Sequence, residues 1–122
     1  MISVIICTYN RDKYIYNVLK SLAQGTLSCA EYEIVLVDNN CTDRTREEVE
    51  RFCADFPDVT LRYFVETRQG LSNARNRGIT ESKGDILVYV DDDATVNDGY
   101  LSCYRDWFAA HPEIDAAGGP II

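Results

Sequence analysis

The chain of 122 residues has little of several features that mark common protein classes. It contains one histidine and three prolines, and its five cysteines include no C-x-x-C pair. An odd number of cysteines at these spacings argues against a disulfide framework and against a structural zinc site. No apolar run is long enough for a signal peptide or a membrane span. These absences predict a cytoplasmic protein without a transmembrane segment.

Positive charge is also scarce, because 12 lysines and arginines stand against 20 aspartates and glutamates, for a net charge of −8. Such a balance argues against nucleic-acid binding, which needs a basic face. It also disfavours an anionic ligand, unless a cation or a few arginines reverse the sign at the binding site. The length and the hydrophobic fraction of 46% fit one globular domain with a substantial core.

Short motifs that identify other enzyme classes are missing as well. The sequence has no G-x-x-x-x-G-K-[S/T] phosphate loop, no G-x-G-x-x-G dinucleotide motif after its first apolar run, and no G-x-S-x-G nucleophile. The single histidine, His111, precedes Pro112, and we interpret it as a surface or capping residue.

The pattern that is present is an alternation of short apolar runs with longer amphipathic stretches. It predicts a Rossmann-like, three-layer α/β/α fold, with a mostly parallel sheet and helices on both faces. The predicted strands cover residues 2–7, 34–37, 61–65 and 86–90, with a further strand over 116–122, and the predicted helices cover 12–23, 42–56, 72–82 and 97–111.

A polar cluster follows each of the four complete strands: TYNR at 8–11, DNN at 38–40, RQG at 68–70 and DDD at 91–93. The carboxyl ends of parallel strands share one edge of the sheet, and ligands bind in crevices at that edge. The four clusters are therefore predicted to form one site.

The three adjacent aspartates repel one another, so a positive charge nearby would stabilise them. In an extended segment, Asp91 and Asp93 point to one side and Asp92 to the other. Two carboxylates on one side suit Mg²⁺ or Mn²⁺, which keep positions open for phosphate oxygens. A solvated turn, or the cap of the next helix, is the alternative interpretation.

The other clusters suit a nucleoside diphosphate. Asp38 and Asn39 can hydrogen-bond the edge of a base, and Tyr9 can offer an apolar face to it. Structural roles are open for the same region, with Tyr9 in the core, Asn10 as a helix cap and Gly70 supplying turn geometry. Positive charge suited to phosphate comes from four arginines: Arg11, Arg68, Arg75 and Arg77.

Two other functions fit part of this pattern. Asp91-x-Asp93-x-Thr95 matches the D-x-D-x-[T/V] loop of haloacid-dehalogenase-like phosphatases, in which the first aspartate is the nucleophile. Those enzymes also need a downstream lysine, and none occurs among the 27 residues after Thr95. The second alternative is a non-catalytic nucleotide-binding module.

Four segments in order, SVIICTYNR, YEIVLVDNNCTDRT, GLSNARNRGI and GDILVYVDDDA, resemble the N-terminal, nucleotide-binding half of family 2 glycosyltransferases of GT-A fold. The resemblance covers essentially the whole chain. It implies transfer of a sugar from a nucleotide-diphosphate sugar to an acceptor hydroxyl, metal-dependent and inverting, as in polysaccharide biosynthesis. It also implies that Asp93 binds Mn²⁺ or Mg²⁺, and that Asp91 and Asp92 serve the ribose and the metal.

The clusters and the resemblance together define the predicted site. The predicted metal ligands are Asp93 and Asp91. The predicted nucleotide-sugar-binding residues are Thr8, Tyr9, Asn10, Arg11, Asp38, Asn39, Gly70, Arg75, Asp91 and Asp92.

One position departs from the family pattern, because many members carry a second acidic residue where this chain has Asn39. An amide both donates and accepts hydrogen bonds, so the resemblance leaves uridine, guanosine and thymidine diphosphate sugars open.

The resemblance also implies that the catalytic base and the acceptor pocket lie in a C-terminal part. Residues 1–122 are therefore predicted to be the donor-binding part alone, which binds donor weakly and turns it over poorly or not at all. Any peripheral contact with the inner face of the membrane is expected from the missing part. The uncovered terminal strand predicts a homodimer.

Overall fold

Strands and helices alternate along residues 1–111, the part of the chain that a computed structural model of the protein describes. The predicted strand over 116–122 and the predicted helix stop at Pro112 lie outside the described residues. The strands are β1 (Ile2–Thr8), β2 (Tyr32–Asp38), β3 (Leu61–Val65) and β4 (Ile86–Tyr89), and the helices are α1 (Ile15–Ala23), α2 (Thr45–Asp55), α3 (Leu71–Glu81) and α4 (Tyr100–Ala110), with a short 3₁₀ turn at Cys29–Glu31.

The four strands form one sheet in the order β3-β2-β1-β4, and every neighbouring pair is parallel. The first two crossovers move the chain from β1 to β3 in one direction, and the third returns it to the far side of β1. The strand order therefore reverses between β1 and β4. In parallel sheets, the ligand crevice opens at the carboxyl ends of the strands at such a point.

Helices cover both faces of β1 and β2, which explains why these strands are apolar along nearly their whole length. On one face, Val4, Ile6 and Leu36 belong to the large core that includes buried side chains of α1, α2 and α4. On the other face, Ile5 and Val37 pack against Ala74 of α3. The predicted three-layer α/β/α fold is confirmed.

Helix α3 approaches the sheet closely because small residues face it. A Cβ atom added to Gly78 would lie 2.5 Å from Cγ2 of Ile5, so only glycine fits at this contact. Gly78 lies inside α3, three residues before its end, and its role there is packing.

Helix α2 begins at Thr45, three residues later than predicted. The carboxylate of Asp43 accepts hydrogen bonds from the Thr45 amide (3.0 Å) and the Thr45 hydroxyl (2.6 Å). These bonds satisfy donors that the first turn leaves unpaired. Asp43 therefore precedes the helix that it stabilises.

The prediction that β4 is a fully buried strand is wrong for the described residues. Val88 is buried, but Leu87 is 39% exposed and Tyr89 is 40% exposed. The reason is that α3 packs mainly on β1 and β2, so that within residues 1–111 the same face of β4 is less fully covered. Helix α4 is also covered unevenly, because Leu101 is buried whereas Trp107 is 37% exposed.

At the amino end of the sheet, one buried carboxylate joins β1, β2 and β3 to the segment after α3. Glu33 accepts hydrogen bonds from the Ser3 hydroxyl (2.6 Å) and the Lys83 amide (2.8 Å), and it pairs with the Arg62 guanidinium at 2.8 Å. Burial alone would raise the pKa of Glu33, but these donors lower it below its ordinary value. The network fixes the carboxyl end of α3 on the sheet.

No helix within residues 1–111 combines the length and the apolar composition that a membrane crossing requires.

Candidate functional site

A cleft of about 530 Å³ opens where the strand order reverses, beside the carboxyl ends of β1 and β4. Its lining contains every residue of the predicted site except Asn10 and Asp38. The prediction that polar clusters after separate strands meet at one edge is therefore confirmed for most of their members. The predicted site residues in the lining are Thr8, Tyr9, Arg11, Asn39, Gly70, Arg75, Asp91, Asp92 and Asp93.

The segment after β1 places one aromatic ring and one arginine on the rim of the cleft. Tyr9 is 50% exposed, so the alternative that it belongs to the core is wrong. Thr8 is buried, and within residues 1–111 its hydroxyl oxygen has no hydrogen-bond partner at normal geometry. The Arg11 carbonyl accepts the amides of Tyr14 and Ile15, which start α1 and hold the rim in place.

Asn10 turns away from the cleft toward the segment after β2. Its φ of 52° reverses the chain, and its side-chain oxygen accepts the Thr42 amide at 2.8 Å. The Asn10 amide in turn points at the Cys41 sulfur, 3.3 Å away. Asn10 thus joins the two segments that follow β1 and β2, and its predicted contact with nucleotide stays a prediction.

Asp38 is also outside the cleft, because its carboxylate is used within the protein. It accepts hydrogen bonds from the Cys41 amide at 2.6 Å and from the Tyr63 hydroxyl. Burial, followed by the hydrogen bond to Asp38, raises the pKa of Tyr63 far above its ordinary value. One oxygen of Asp38 therefore holds the turn after β2, and the other holds Tyr63 of β3. The predicted contact of Asp38 with a base stays untested.

Asn39 joins the end of β2 to the loop between β3 and α3. Its amide nitrogen donates to the carbonyl oxygens of Glu66 and Arg68, each at 3.0 Å, and its side-chain oxygen accepts the Gly70 amide at 3.0 Å. Gly70 has a φ of 127°, a conformation that favours glycine. The loop formed by residues 66–70 therefore depends on the Asn39 side chain, although sequence reasoning did not identify Glu66.

Two of the predicted phosphate-binding arginines have carboxylate partners instead. Arg68 pairs with Glu66 at 3.1 Å, and Arg77 pairs with Glu81 at 3.0 Å. Neither lines the cleft, whereas Arg11 and Arg75 do. The positive charge that faces the cleft comes from this second pair.

The aspartates after β4 do not continue the strand, so the predicted alternation of their side chains is wrong. The Ala94 amide donates to the Asp91 carbonyl at 3.3 Å, which closes a turn over Asp92 and Asp93. The turn brings all three residues to the cleft.

Asp92 faces the arginine on the opposite rim. The nearest Asp92 oxygen lies 3.6 Å from Nε of Arg11. Burial raises the pKa of Asp92 above its ordinary value, and nearby Asp93 acts in the same direction. The Thr8 hydroxyl, Arg11 and the Tyr9 amide act against this rise. A cation in the cleft would relieve the same repulsion.

Carboxylate oxygens from residues 91–93 are the donor type that Mg²⁺ and Mn²⁺ prefer. Among residues 1–111, they do not form a group of three or more ligands at metal-binding spacing. Mg²⁺ needs only one or two protein carboxylates, since water and substrate phosphates supply the other oxygens. The donor set therefore fits an ion that a substrate helps to bind.

The wall of the cleft near α3 is partly aromatic, which sequence reasoning missed. The Arg75 guanidinium lies 5.6 Å from the centre of the Tyr89 ring. Beside this wall, burial raises the pKa of the Cys7 thiol to about 11, which favours the protonated thiol at neutral pH. The sequence did contain a signal for this aromatic wall. Side chains alternate between the two faces along β4, and this alternation puts Tyr89 on the face that carries α3.

Comparison with known proteins agrees with this architecture. The model of the family described as glycosyl transferase family 2 matches residues 3–121. The glycosyltransferase YfnE of Bacillus subtilis is 37% identical over 91 residues, which are 75% of this chain and 22% of that protein. A glucosyl-dolichyl phosphate glucuronosyltransferase of Haloferax volcanii is 27% identical over 99% of this chain and 38% of its own length. The chain thus spans well under half the length of these relatives.

Two solved structures have the same fold over most of the chain. TarS of Staphylococcus aureus in complex with UDP-GlcNAc superposes with a TM-score of 0.84 at 27% identity, over 98% of this chain and 36% of that one. The mannosyltransferase PcManGT of Pyrobaculum calidifontis, in complex with GDP-Man and Mn²⁺, gives 0.84 at 31% identity, over 88% and 32%. The predicted GT-A type is confirmed, and the chain belongs to glycosyl transferase family 2.

Proposed function

We propose that the protein transfers a sugar from a nucleotide-diphosphate sugar to an acceptor hydroxyl, and that the cleft holds the donor. One observation carries the proposal: Tyr9, Arg11, Arg75 and aspartates 91–93 converge on a single cleft where the strand order reverses. An exposed ring suits the face of a base, guanidinium groups suit phosphate, and carboxylates suit a cation. Membership in glycosyl transferase family 2 leaves the phosphatase alternative without support.

Metal dependence is part of this proposal. Asp93 and Asp91 would hold Mn²⁺ or Mg²⁺, while Asp92 stays paired with Arg11. When bound, such a cation neutralises the negative charge of the departing diphosphate. Support comes from the net charge of −8, which would otherwise repel a diphosphate, and from the Mn²⁺ in the PcManGT complex.

The side chains of the cleft have separate tasks toward the donor. Tyr9 offers its exposed ring to the base, and Arg75 is held over Tyr89 where it can meet a phosphate. The Thr8 hydroxyl lies at the floor of the cleft beside Asp92, where it can donate to a ribose or phosphate oxygen. These contacts bind and orient the donor, and none of them transfers a proton.

We further propose that the reaction inverts the anomeric centre. The acceptor hydroxyl would attack in line, and its proton would pass to a carboxylate base as the bond to the diphosphate breaks. We assign this base and the acceptor pocket to a part of the protein beyond residues 1–122. This chain spans only 22% and 38% of the length of two relatives, which supports that division.

The donor base is open between uridine, guanosine and thymidine. TarS was solved with UDP-GlcNAc and PcManGT with GDP-Man, so proteins of similar fold use different bases. We place the reaction in the cytoplasm, because all five cysteines are free thiols, as a reducing compartment maintains them. Association into a homodimer and contact with the inner membrane face stay predictions.

The test is calorimetry with uridine, guanosine and thymidine diphosphates, each with and without Mn²⁺. We expect one of them to bind with an affinity at least about tenfold higher when Mn²⁺ is present. Asp93→Asn should remove that enhancement. Asp98→Asn is the matched control, because Asp98 is an exposed aspartate of the following loop and does not line the cleft.

The outcomes separate binding from turnover. If none of the three diphosphates binds, or if Asp93→Asn behaves as Asp98→Asn does, the assignment of the donor and metal site is wrong. Transfer to a defined acceptor by residues 1–122 alone would contradict the assignment of the base to another part of the protein.

A further inference from the structure

We infer that Asp43 is a positioning residue for the donor. Its carboxylate fixes the rim segment of the cleft, residues 9–12, and with it the Arg11 side chain that this segment carries. The inference rests on the proposed function, because Arg11 is one of the side chains assigned to the donor. Asp43 itself lies outside the lining of the cleft, so any effect on the donor passes through the rim segment.

The two oxygens of the Asp43 carboxylate are used in different directions. One accepts the Thr45 amide at 3.0 Å and the Thr45 hydroxyl at 2.6 Å, at the start of α2. The other accepts the Asp12 amide at 3.1 Å, from the loop between β1 and α1. Burial alone would raise the pKa of Asp43, but these donors lower it below its ordinary value. The carboxylate therefore joins α2 to the rim segment.

The bond to Asp43 fixes one peptide unit of the rim. The amide that donates to Asp43 belongs to the peptide bond between Arg11 and Asp12. The carbonyl of the same peptide bond accepts the amides of Tyr14 and Ile15, each at 3.0 Å, at the start of α1. Because a peptide unit is planar, bonds on both of its edges fix its orientation. This restricts the direction in which the Arg11 side chain leaves the backbone.

Other bonds join the rim segment to the same loop, but they use different groups. The Asp12 carboxylate accepts the Arg44 amide at 3.4 Å, and the Asn10 side-chain oxygen accepts the Thr42 amide at 2.8 Å. In both of these bonds, the rim supplies a side chain. At Asp43, the rim backbone itself donates to a charged acceptor, and such bonds are the stronger ones.

The Arg11 side chain gains most from a fixed backbone. It is 48% exposed, and its Nε lies 3.6 Å from the nearest oxygen of Asp92 across the cleft. A long, exposed side chain loses conformational freedom when it binds a ligand, and a preorganised backbone reduces that cost. Loss of the Asp43 bond should therefore weaken donor binding without removing any group that touches the donor.

Asp43→Asn separates the two tasks of the carboxylate. Asparagine replaces aspartate well where a side-chain oxygen accepts the amide two residues further on, so the bonds from Thr45 are kept. The NH₂ group then faces the Asp12 amide, where a donor meets a donor and the bond is lost. Thr45→Val is the matched control, because it removes the hydroxyl bond to the same carboxylate and leaves the acceptor of the Asp12 amide in place.

Amide hydrogen exchange tests the contact itself. In Asp43→Asn, we expect exchange of the Asp12 amide to accelerate at least about tenfold, while that of the Leu36 amide in β2 stays unchanged. Thr45→Val should leave exchange of the Asp12 amide as it is in the wild type. Unchanged exchange in Asp43→Asn, or an equal acceleration in Thr45→Val, overturns the inference.

Affinity tests whether Asp43 acts through Arg11. With Mn²⁺ and the diphosphate that the wild type binds best, we expect Asp43→Asn to raise the dissociation constant at least about fivefold and Thr45→Val less than about twofold. In an Arg11→Ala background, Asp43→Asn should cost less than about twofold, because the side chain that it positions is gone.

An Arg75→Ala background is the matched comparison, because Arg75 also lines the cleft but belongs to α3. There the full loss of about fivefold should remain, since distant and independent sites contribute additively. A general loss of structure would weaken binding equally in the two backgrounds, and equal losses therefore overturn the inference.

The wild type provides a test that needs no variant. Without nucleotide and after correction for intrinsic rates, the Asp12 amide should exchange at least about tenfold more slowly than the Lys13 amide, for which residues 1–111 offer no acceptor. Equal exchange of the two amides overturns the inference. Failure of the wild type to bind any of the three diphosphates refutes the proposed function, whereas normal binding by both the wild type and Asp43→Asn refutes the inference alone.

Discussion

Asp92 is a cleft carboxylate whose charged form is disfavoured by burial in the folded protein. Burial raises its pKa above the ordinary value of 3.8. Below pH 3.8, the carboxyl group holds its proton in both the folded and the unfolded state, and it contributes nothing. Above the pKa of the folded state, it is charged in both states, and the folded state carries the full penalty of burying that charge.

We therefore expect Asp92→Asn to increase the free energy of unfolding at pH 7. The gain should shrink as the pH falls, and it should vanish below pH 3.8, because the wild-type carboxyl group is then neutral. Loss of the ion pair with Arg11 should reduce this gain in the free energy of unfolding only slightly, because the Arg11 side chain is exposed. Urea denaturation at several pH values measures this, with Asp98→Asn as the control, and a loss of stability at pH 7 would contradict the explanation.

Gly70 allows a second prediction at the scale of the residue. Its φ of 127° is costly for any other residue, whereas the space around it would admit a Cβ atom, 3.7 Å from Nδ2 of Asn73. The penalty for Gly70→Ala is thus conformational rather than steric, about 1–3 kcal/mol in the free energy of unfolding.

Gly99 is the matched control, with a φ of −93° and, among residues 1–111, no atom within 4 Å of an added Cβ atom. Gly99→Ala should leave the denaturation midpoint unchanged or raise it slightly. Equal effects of the two alanine substitutions would show that the Gly70 conformation is not needed for stability.

At the scale of the element, α3 is held at its two ends by different chemistry. The amide of Gly70, just before its first turn, is bound by Asn39, and the segment after its last turn is bound through Glu33. Between these ends, Ala74 and Gly78 bring the helix close to the sheet. A change at Glu33 therefore acts on the whole helix.

We expect Glu33→Gln to lower the free energy of unfolding by about 2 kcal/mol at pH 7, because it weakens three hydrogen bonds to a buried charge. The pKa of Glu33 is lowered by folding, so its contribution is complete above its ordinary value of 4.5 and is lost as the pH falls through the folded-state pKa. The difference between wild type and variant should shrink accordingly in acid.

Glu50→Gln is the control for this pH series, because Glu50 is an exposed residue that pairs with the equally exposed Arg46. Glu50→Gln should change the free energy of unfolding by no more than about 0.5 kcal/mol at every pH. A pH-independent difference between wild type and Glu33→Gln would show that the charge of Glu33 is not what stabilises α3.

Strands and helices could be predicted from the sequence where a hydrophobic pattern is compatible with only one structural environment. The continuous apolar runs of β1 and β2 predicted strands covered on both faces, as observed. The similar run of β4 predicted the same and was wrong, because apolar composition does not show which element supplies the cover. The turn at Asp91 and the Asn39 contacts were also missed, since both depend on backbone atoms of residues distant in the sequence.

At the scale of the whole molecule, charge makes the site dependent on a cation. The chain carries a net charge of −8, and the cleft sets Arg11 and Arg75 against three aspartates. A negatively charged diphosphate that enters without a cation is therefore repelled by the negative charge of the cleft and of the whole chain.

We expect removal of divalent ions with a chelator to weaken binding of the preferred nucleoside diphosphate at least about tenfold, because the repulsion is then uncompensated. The corresponding nucleoside, which lacks phosphate, is the matched control ligand. Its affinity should not depend on the ion. Calorimetry with both ligands measures the difference, and equal dependence on the ion would contradict an electrostatic origin.

The strand order also dictates when the cleft comes into existence. The cleft lies between β1 and β4, the first and the last strand of the described sheet in chain order. During synthesis, β1, β2 and β3 can pair before β4 has left the ribosome, because the chain emerges from its N-terminus. A nascent chain stalled before residue 86 would therefore contain most of the sheet but no donor cleft, so nucleotide binding by stalled chains would report the moment at which the last strand docks.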